Sequence, residues 1–411
     1  MSSSCCRFCA SPLERTFVDL GMSPLSNSYL TAEQCQTSET FHPLHVYVCE
    51  ECHLVQLPEW VSPDEIFSDY AYFSSYSTSW LAHAAQYARE ATCRYGIDSS
   101  SFVVEIASND GYLLKNFVEN EVPVLGIEPA SNVAEVAEEN GIPTLNEFFG
   151  KDLAERLVAR DIRASLLVGN NVLAHVPNLN DFVSGLKILL APSGVITMEF
   201  PHLLRLMEEN QFDTIYHEHF SYFSLMTVRE IFAHHGLRIF DVQELGTHGG
   251  SIRIHACHRQ NDAYPTADSI EQLENEERAF GLAELATYDR FADQVEATKR
   301  SLLEFLIEAK QEGKTVAGYG APAKGNTLLN YCGVRADFLD YTVDRSPHKQ
   351  GLRLPGTHIP ICGPEEIDAS QPDYLLILPW NLKEEIVDQM SHVRDWGCQF
   401  VVPIPEVEVV A

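Results

Sequence analysis

The chain has 411 residues, 28 Lys+Arg against 59 Asp+Glu and a formal net charge of -31. That charge repels a phosphate backbone and an anionic membrane alike, which excludes nucleic acid and membrane surfaces as expected partners and leaves room only for a local basic pocket. With 45% hydrophobic residues, no apolar run of membrane-span length and no signal-peptide pattern at the N-terminus, the sequence predicts a cytoplasmic, monomeric globular protein of two or three units.

Eleven cysteines are an odd count, and in a reducing compartment thiols and a metal explain them better than disulfides. Four of them form two close pairs, Cys6-Arg-Phe-Cys9 and Cys49-Glu-Glu-Cys52. Two such knuckles supply the four sulfurs of a tetrahedral zinc, and a closed four-sulfur shell has no open position for substrate. The expectation is a small β-rich module with structural zinc; Cys5, Cys35 and His53 are left out of the ligand set.

Residues 70–95 turn from a polar aromatic loop, YAYFSSYS, into an Ala-rich helical pattern. An apolar strand, Phe102 to Ile106, then runs into Ala107-Ser108-Asn109-Asp110-Gly111 and a helical stretch from Tyr112 to Asn120. A second strand, Val124 to Ile127, ends at Glu128; LLVGNNVLAHV, helical LNDFVSGLKILL and GVITMEF follow. Strands alternating with helices predict a parallel sheet covered on both faces. Residues 264–312 are acidic and helical in period, a solvated bridge. The alternation restarts with TVAGYG (Thr315 to Gly320), helical AKGNTLLNYC, FLDYTVD (Phe338 to Asp344), YLLILPW (Tyr374 to Trp380) and QFVVPIP, a second layered α/β domain. The expected division is 1–68, 69–262 and 263–411.

In open parallel sheets ligands bind at the carboxyl ends of the strands. Glu105, Asn109, Asp110 and Gly111 lie at the end of the first strand, where Gly111 allows a tight turn. Glu128 ends the second, placed to accept hydrogen bonds from ribose hydroxyls or to cap a helix. Ala107 and Ser108 stand where a dinucleotide fingerprint has glycines, so a nucleoside cofactor without a pyrophosphate fits better than NAD. The joint pattern predicts a class I S-adenosylmethionine (SAM) site. Asn170, Asn171 and His175 follow the fourth strand on the same edge, His175 as either a structural residue or a substrate contact.

YHEHFSYFS, from Tyr216, packs two histidines, a glutamate and two tyrosines into nine positions. The spacing lacks the i, i+4 histidine pair of a zinc helix, so a metal reading is the weaker one. If residues 216–219 form a helical turn, Tyr216 and His219 share a face; as a strand they point apart. His248-Gly-Gly-Ser251 is a turn whose small residues let backbone approach a ligand, or simply lead into the strand IRIHA. Gly318-Tyr-Gly320-Ala-Pro-Ala-Lys324-Gly-Asn326 opens a helix after a strand, an anion cradle with Lys324 as its cation or a structural turn. Asp344 to Lys349 flank the same place or the surface.

Taken together, the paired cysteines, Tyr72 in YAYFSSYS, Glu105 to Leu114, Glu128-Pro129, Asn171 to His175, Tyr216 to His219, the His248 motif and Gly318 to Asn330 resemble the NDP-hexose C-3-methyltransferases of branched-chain deoxysugar synthesis, across essentially the whole chain. The resemblance implies a zinc-binding N-terminal module, a doubly wound class I methyltransferase domain that binds SAM, and a Rossmann-like C-terminal domain, with the nucleotide sugar between the last two. It implies methylation next to the keto group of a dTDP-4-keto-6-deoxysugar, His219 as base, Tyr72 and Tyr216 near the keto oxygen, and Glu218 beside them.

The chemistry suits those residues. Removing a proton next to a ketone makes an enolate, which needs a base neutral near pH 7 and donors to the oxyanion; imidazole and phenol hydroxyl supply these. Glu218 could orient an imidazole or accept from a sugar hydroxyl or amine. His175, Lys324 and Asn326 are the expected substrate contacts. An O-methyltransferase, a non-catalytic zinc-containing nucleotide binder and an NAD-linked oxidoreductase are the alternatives.

Overall fold

A computed structural model describes residues 5–67, 74–76 and 78–410. Tyr72, read above as an active-site hydroxyl, lies outside the described residues. The chain forms two compact units, one of residues 1–14, 49–203 and 218–283, the other of residues 15–48, 204–217 and 284–411.

The first unit is built on a seven-stranded sheet: β1 (Val103–Ile106), β2 (Val124–Ile127), β3 (Thr144–Leu145), β4 (Ala164–Asn170), β5 (Leu190–Pro201), β6 (Leu237–Leu245) and β7 (Ser251–His258). The spatial order is β3-β2-β1-β4-β5-β7-β6, with β3 through β5 parallel and β7 antiparallel to both β5 and β6. The parallel run is what the alternating pattern predicts, and the whole order is the doubly wound class I methyltransferase arrangement that the resemblance implies. β1 and β2 are buried at every position, which explains their largely apolar sequences, VVEI and VLGI, with Glu105 the one charge. Helix Thr78–Tyr95 covers the sheet with Ala84, Tyr87, Ala88 and Ala91, the i, i+3, i+4, i+7 stripe of one helical face.

After β1 the helix is shorter than expected, Lys115–Val118, because residues 109–114 form turns that bury Tyr112, Leu113 and Leu114. Gly111 is needed there: its φ is +77°, and a Cβ would come within 2.7 Å of Ile142 Cγ1. Helix Leu179–Leu189 is capped by the Asn178 side chain, which accepts from the Asp181 amide. The acidic stretch is helical but interrupted: helix Asp268–Phe280 ends at Gly281, φ 104°, and helices Leu285–Asp289 and Phe291–Gln311 follow.

The second unit carries the hairpin-like pair Arg15–Ser23 and His42–Val48, antiparallel, with Phe17 stacked on Phe291 at 4.6 Å. Its sheet comprises β8 (Val316–Tyr319), β9 (Thr342–Val343), β10 (Ile361–Cys362), β11 (Tyr374–Ile377), β12 (Gln399–Val402) and β13 (Glu408–Val410). The order β10-β9-β8-β11-β12-β13 is parallel except for the last strand, the Rossmann-like arrangement expected. The strand read in FLDYTVD is confined to β9, because the Phe338 and Leu339 amides both close a turn on the Arg335 carbonyl.

Candidate functional site

The two cysteine knuckles have the same backbone. The Ala10 amide donates to the Cys6 carbonyl at 2.9 Å and the His53 amide to the Cys49 carbonyl at 3.0 Å, and Ala10 and His53 both take left-handed φ, 64° and 57°. The four sulfurs lie within 4.8 Å of one another, with Cys6–Cys52 at 3.5 Å and Cys9–Cys49 at 3.4 Å. Zn–S bonds of about 2.3 Å in a tetrahedron give sulfur separations of roughly 3.8 Å, so the set fits zinc. Gln56 Nε2 donates to Cys6 Sγ at 3.2 Å, the kind of outer contact that orients a metal ligand. These four cysteines are thus a set that could hold a structural zinc.

At the carboxyl edge of the first sheet, Glu105 is 1% exposed and, among the described residues, neither carboxylate oxygen has a hydrogen-bond partner. Burial, with Glu128 and Asp110 nearby, pushes its pKa well above the ordinary carboxylate value. A buried, orphaned carboxylate beside the Asn-Asp-Gly turn could take the ammonium group of SAM. Glu128 is raised mainly by burial, although Oε2 accepts from the Asn109 amide and Oε1 from the Ala130 amide, each at 2.9 Å. Asn109 Oδ1 accepts from the Ser74 amide at 2.9 Å and Asp110 Oδ2 from the Ser75 amide at 3.1 Å. The Asn-Asp-Gly turn therefore holds the segment that follows YAYF. Ala107, Asn109, Asn171 and His248 all take left-handed φ, between 50° and 56°.

The stretch from Tyr216 to His219 is neither helical nor a strand: a two-residue turn at His217 and Glu218 links the short helical turn Phe212–Thr214 to strand Ser221–Tyr222. His219, 8% exposed, packs edge-on against His175, ring centroids 4.7 Å apart, and against Tyr222 at 6.1 Å. The His175 ring is hydrogen-bonded to the backbone of Glu218, and burial pushes its pKa down to about 4, so it is neutral at pH 7. The Phe220 amide donates to the Ala174 carbonyl at 2.7 Å, which joins the turn to the loop leaving β4. His217 belongs to the other unit, its ring near His42 and the Pro43 carbonyl, and burial brings its pKa to about 4.

Several functional-edge residues escape sequence reasoning. Glu199 on β5 is fully buried; it accepts from Arg253 Nη2 at 2.6 Å and Thr247 Oγ1 at 3.0 Å and meets His83 Nε2 at 2.9 Å. Burial raises its pKa, but His83 and Arg253 together outweigh that and hold it below the ordinary value. The signal was present, a charge in each of the apolar strands GVITMEF and SIRIHA. The network fixes the Thr247–Gly250 loop, and His248 Nε2 lies 3.1 Å from Asn171 Nδ2 with Trp80 5.3 Å away. The His-Gly-Gly motif thus reaches the same edge as Asn170 and Asn171.

In the second unit Lys324 is half-buried. Its Nζ donates to Asn381 Oδ1 and sits 4.2 Å from the Trp380 ring centroid, and burial lowers its pKa to about 8 against the pull of Asp213. Trp380 Nε1 donates to Asp213 Oδ2 at 2.8 Å, and burial raises that carboxyl to about 7. Asn326 Nδ2 donates to the Ser26 carbonyl at 2.6 Å, and Thr327 Oγ1 to the Ile215 carbonyl at 2.9 Å, next to Tyr216. No helix among the described residues is long and apolar enough to cross a membrane.

Comparison with known proteins agrees with this geometry. Three family models match: a zinc binding domain over residues 6–67, a methyltransferase domain over 80–242 and a C-methyltransferase C-terminal domain over 246–405. The C-methyltransferase NovU of Streptomyces niveus is 38% identical over 406 residues, 99% of this chain and 96% of that protein. Among solved structures, the magnesium protoporphyrin IX methyltransferase of Synechocystis PCC 6803 with bound SAM is 12% identical, covering 43% of this chain and 79% of that one at a TM-score of 0.34. A SAM-dependent methyltransferase from Clostridium acetobutylicum is 10% identical, covering 43% and 92% at 0.35. Likenesses this distant carry no weight for the chemistry.

Proposed function

The chain belongs to the C-methyltransferase family that includes NovU, a SAM-dependent enzyme family with a zinc-binding module, and from that premise we propose that it methylates the carbon next to the keto group, C-3, of a nucleotide-activated 4-keto-6-deoxysugar, dTDP-linked. The observation that carries the reading is His219: a buried imidazole in a turn, packed on a neutral His175 and tied to the loop that leaves β4 beside Asn170 and Asn171.

His219 takes the proton from the carbon next to the ketone, and His175 keeps the ring in place while facing the sugar. Tyr216 and Tyr72 donate to the enolate oxygen, whose developing charge needs fixed donors. Glu218 accepts from a sugar hydroxyl or amine. Glu105 receives the cofactor's ammonium, Glu128 its ribose, and Asn109, Asp110, Gly111, Asn170 and Asn171 shape the pocket around it. When bound, SAM supplies an electrophilic methyl group. Lys324 and Asn326 support the loop opening the helix after β8, whose backbone amides meet the diphosphate, with residues 263–411 as the nucleotide-sugar domain and 1–68 and 69–262 as the zinc and methyltransferase domains.

The test uses labelled methyl donor with a panel of dTDP-4-keto sugars, and the methyl carbon shift distinguishes carbon from oxygen attachment. His219→Ala should keep S-adenosylhomocysteine affinity within about twofold while methyl transfer falls by about 10²- to 10⁴-fold. Exchange of the α-proton in deuterated water should stop with it. Exchange that persists in the variant moves the base elsewhere, and no labelled sugar from any ketose removes the substrate class.

A further inference from the structure

Arg7 stands between two zinc ligands, Cys6 and Cys9, yet its side chain is hydrogen-bonded to main-chain carbonyls beyond the knuckle. Nη2 donates to the Leu57 carbonyl at 2.5 Å, and Nη1 donates to the carbonyls of Val176 and Pro177 at 3.4 and 3.2 Å. The guanidinium also lies 5.4 Å from the Phe220 ring centroid. Val176 follows His175 directly, and Phe220 follows His219 directly. The Leu57 amide in turn donates to the Phe220 carbonyl at 3.0 Å, and Val55–Gln56 pairs antiparallel with Ser221–Tyr222. One guanidinium therefore touches the zinc module, the segment carrying His175 and the segment carrying His219.

The base of this contact is rigid. Gln56 Oε1 accepts from the Arg7 amide at 2.9 Å, and Asn180 Nδ2 donates to the Arg7 and Phe8 carbonyls at 3.2 and 2.9 Å. Four thiolates on one ion fix the knuckle on the other side. A planar fork with five N–H donors can serve three carbonyls in different directions, whereas one ammonium on a flexible stem cannot hold them all in one geometry.

We propose that Arg7 is a positioning residue, through which the zinc knuckle sets the register of the two segments that bring His175 and His219 ring to ring. The zinc centre then has a part in activity without touching the reacting atoms. The inference rests on His219 being the base, so its test has one readout that needs no substrate.

Arg7→Lys and Arg7→Ala are made in the full-length zinc-loaded protein and checked for zinc by elemental analysis. Amide hydrogen exchange should speed up in segments 172–178 and 218–222 while residues 103–106 keep the wild-type rate. kcat should fall by about 10- to 100-fold with the KM for SAM unchanged, because an ångström-scale misplacement of a catalytic group costs about that much. Arg7→Lys should recover part of the loss seen in Arg7→Ala. Wild-type exchange in both segments with zinc retained overturns the inference. Loss of zinc from both variants also overturns it, assigning Arg7 to assembly of the knuckle. If the wild-type enzyme turns over no keto sugar, the substrate reading fails, while the exchange rates still decide the role of Arg7.

Discussion

The first turn of each sheet follows the same plan, a strand, a glycine-bearing loop and a helix, yet the two turns are filled differently. Near the carboxyl end of β1, Glu105 carries a carboxylate that is buried and unpaired among the described residues. After β8, the loop is closed by its own unit: the Ala321 amide donates to Asp344 Oδ2 at 2.8 Å, and its carbonyl accepts from Tyr29 and Lys349 at 2.6 and 2.9 Å. Lys324 is likewise engaged by Asn381 and Trp380. The difference teaches that a strand-turn-helix pattern announces a place for a ligand, while the unsatisfied group decides what kind.

The largest expected effect breaks the first turn. Glu105→Gln should weaken S-adenosylhomocysteine binding by about 30- to 150-fold, since a hydrogen bond to a charged group contributes roughly 2–3 kcal/mol. A sharper form uses the sign of its pKa. Burial keeps Glu105 protonated above the pH at which an exposed glutamate ionises, whereas a bound ammonium favours the carboxylate. Binding should therefore release a proton, and affinity should climb as pH rises toward the raised pKa. Calorimetry in buffers of different ionisation enthalpy reads this directly. A slope that is the same in Glu105→Gln would show that another group loses the proton and that the two turns are more alike than they look.

A middling effect compares the two glycines. Gly111 has φ +77° with Ile142 2.7 Å from an added Cβ, and Gly320 has φ +87° with Pro379 at 2.6 Å. Alanine at either should cost about 2–4 kcal/mol, from left-handed backbone and overpacking together. Denaturant midpoints measure both. Only Gly111→Ala should also reduce S-adenosylhomocysteine affinity; equal losses of affinity would erase the distinction.

What the sequence makes legible follows from how local the cause is. The cysteine knuckles are visible because two intervening residues determine the turn that gathers the sulfurs. β1 and β2 are visible because burial on both faces leaves them almost wholly apolar, so that Glu105 within β1 and Glu128 just after β2 stand out. The surroundings of Lys324 are hidden, because Asn381 is 57 residues further along and the Trp380 partner Asp213 is 167 residues from it. The same holds for Arg7, whose carbonyl acceptors Val176 and Pro177 lie 169 and 170 residues away. The turn at His217 and Glu218 is hidden for a related reason: histidine and glutamate carry no turn signal, and hydrogen bonds to Glu218, Phe220 and Leu57 shape the chain around it.

The smallest expected effect tests the second turn. If the diphosphate meets backbone amides of the loop after β8, then Lys324→Met removes charge from behind the cradle and leaves the donors in place. Binding of a nucleoside diphosphate should weaken by no more than about threefold, since a charge already paired with its surroundings adds little. Stability should fall more clearly, because Asp213, raised to about 7 by burial, loses the cation that favours its ionised form. Without Lys324 that carboxyl should hold its proton to higher pH. The folded pKa then lies further above the unfolded one, so stability present below the ordinary carboxylate range should drain away across a wider window as pH rises. A hundredfold loss of nucleotide affinity in Lys324→Met would reverse the reading: the lysine would have to leave Asn381 and Trp380 to reach the phosphates, and the second turn would be as open as the first.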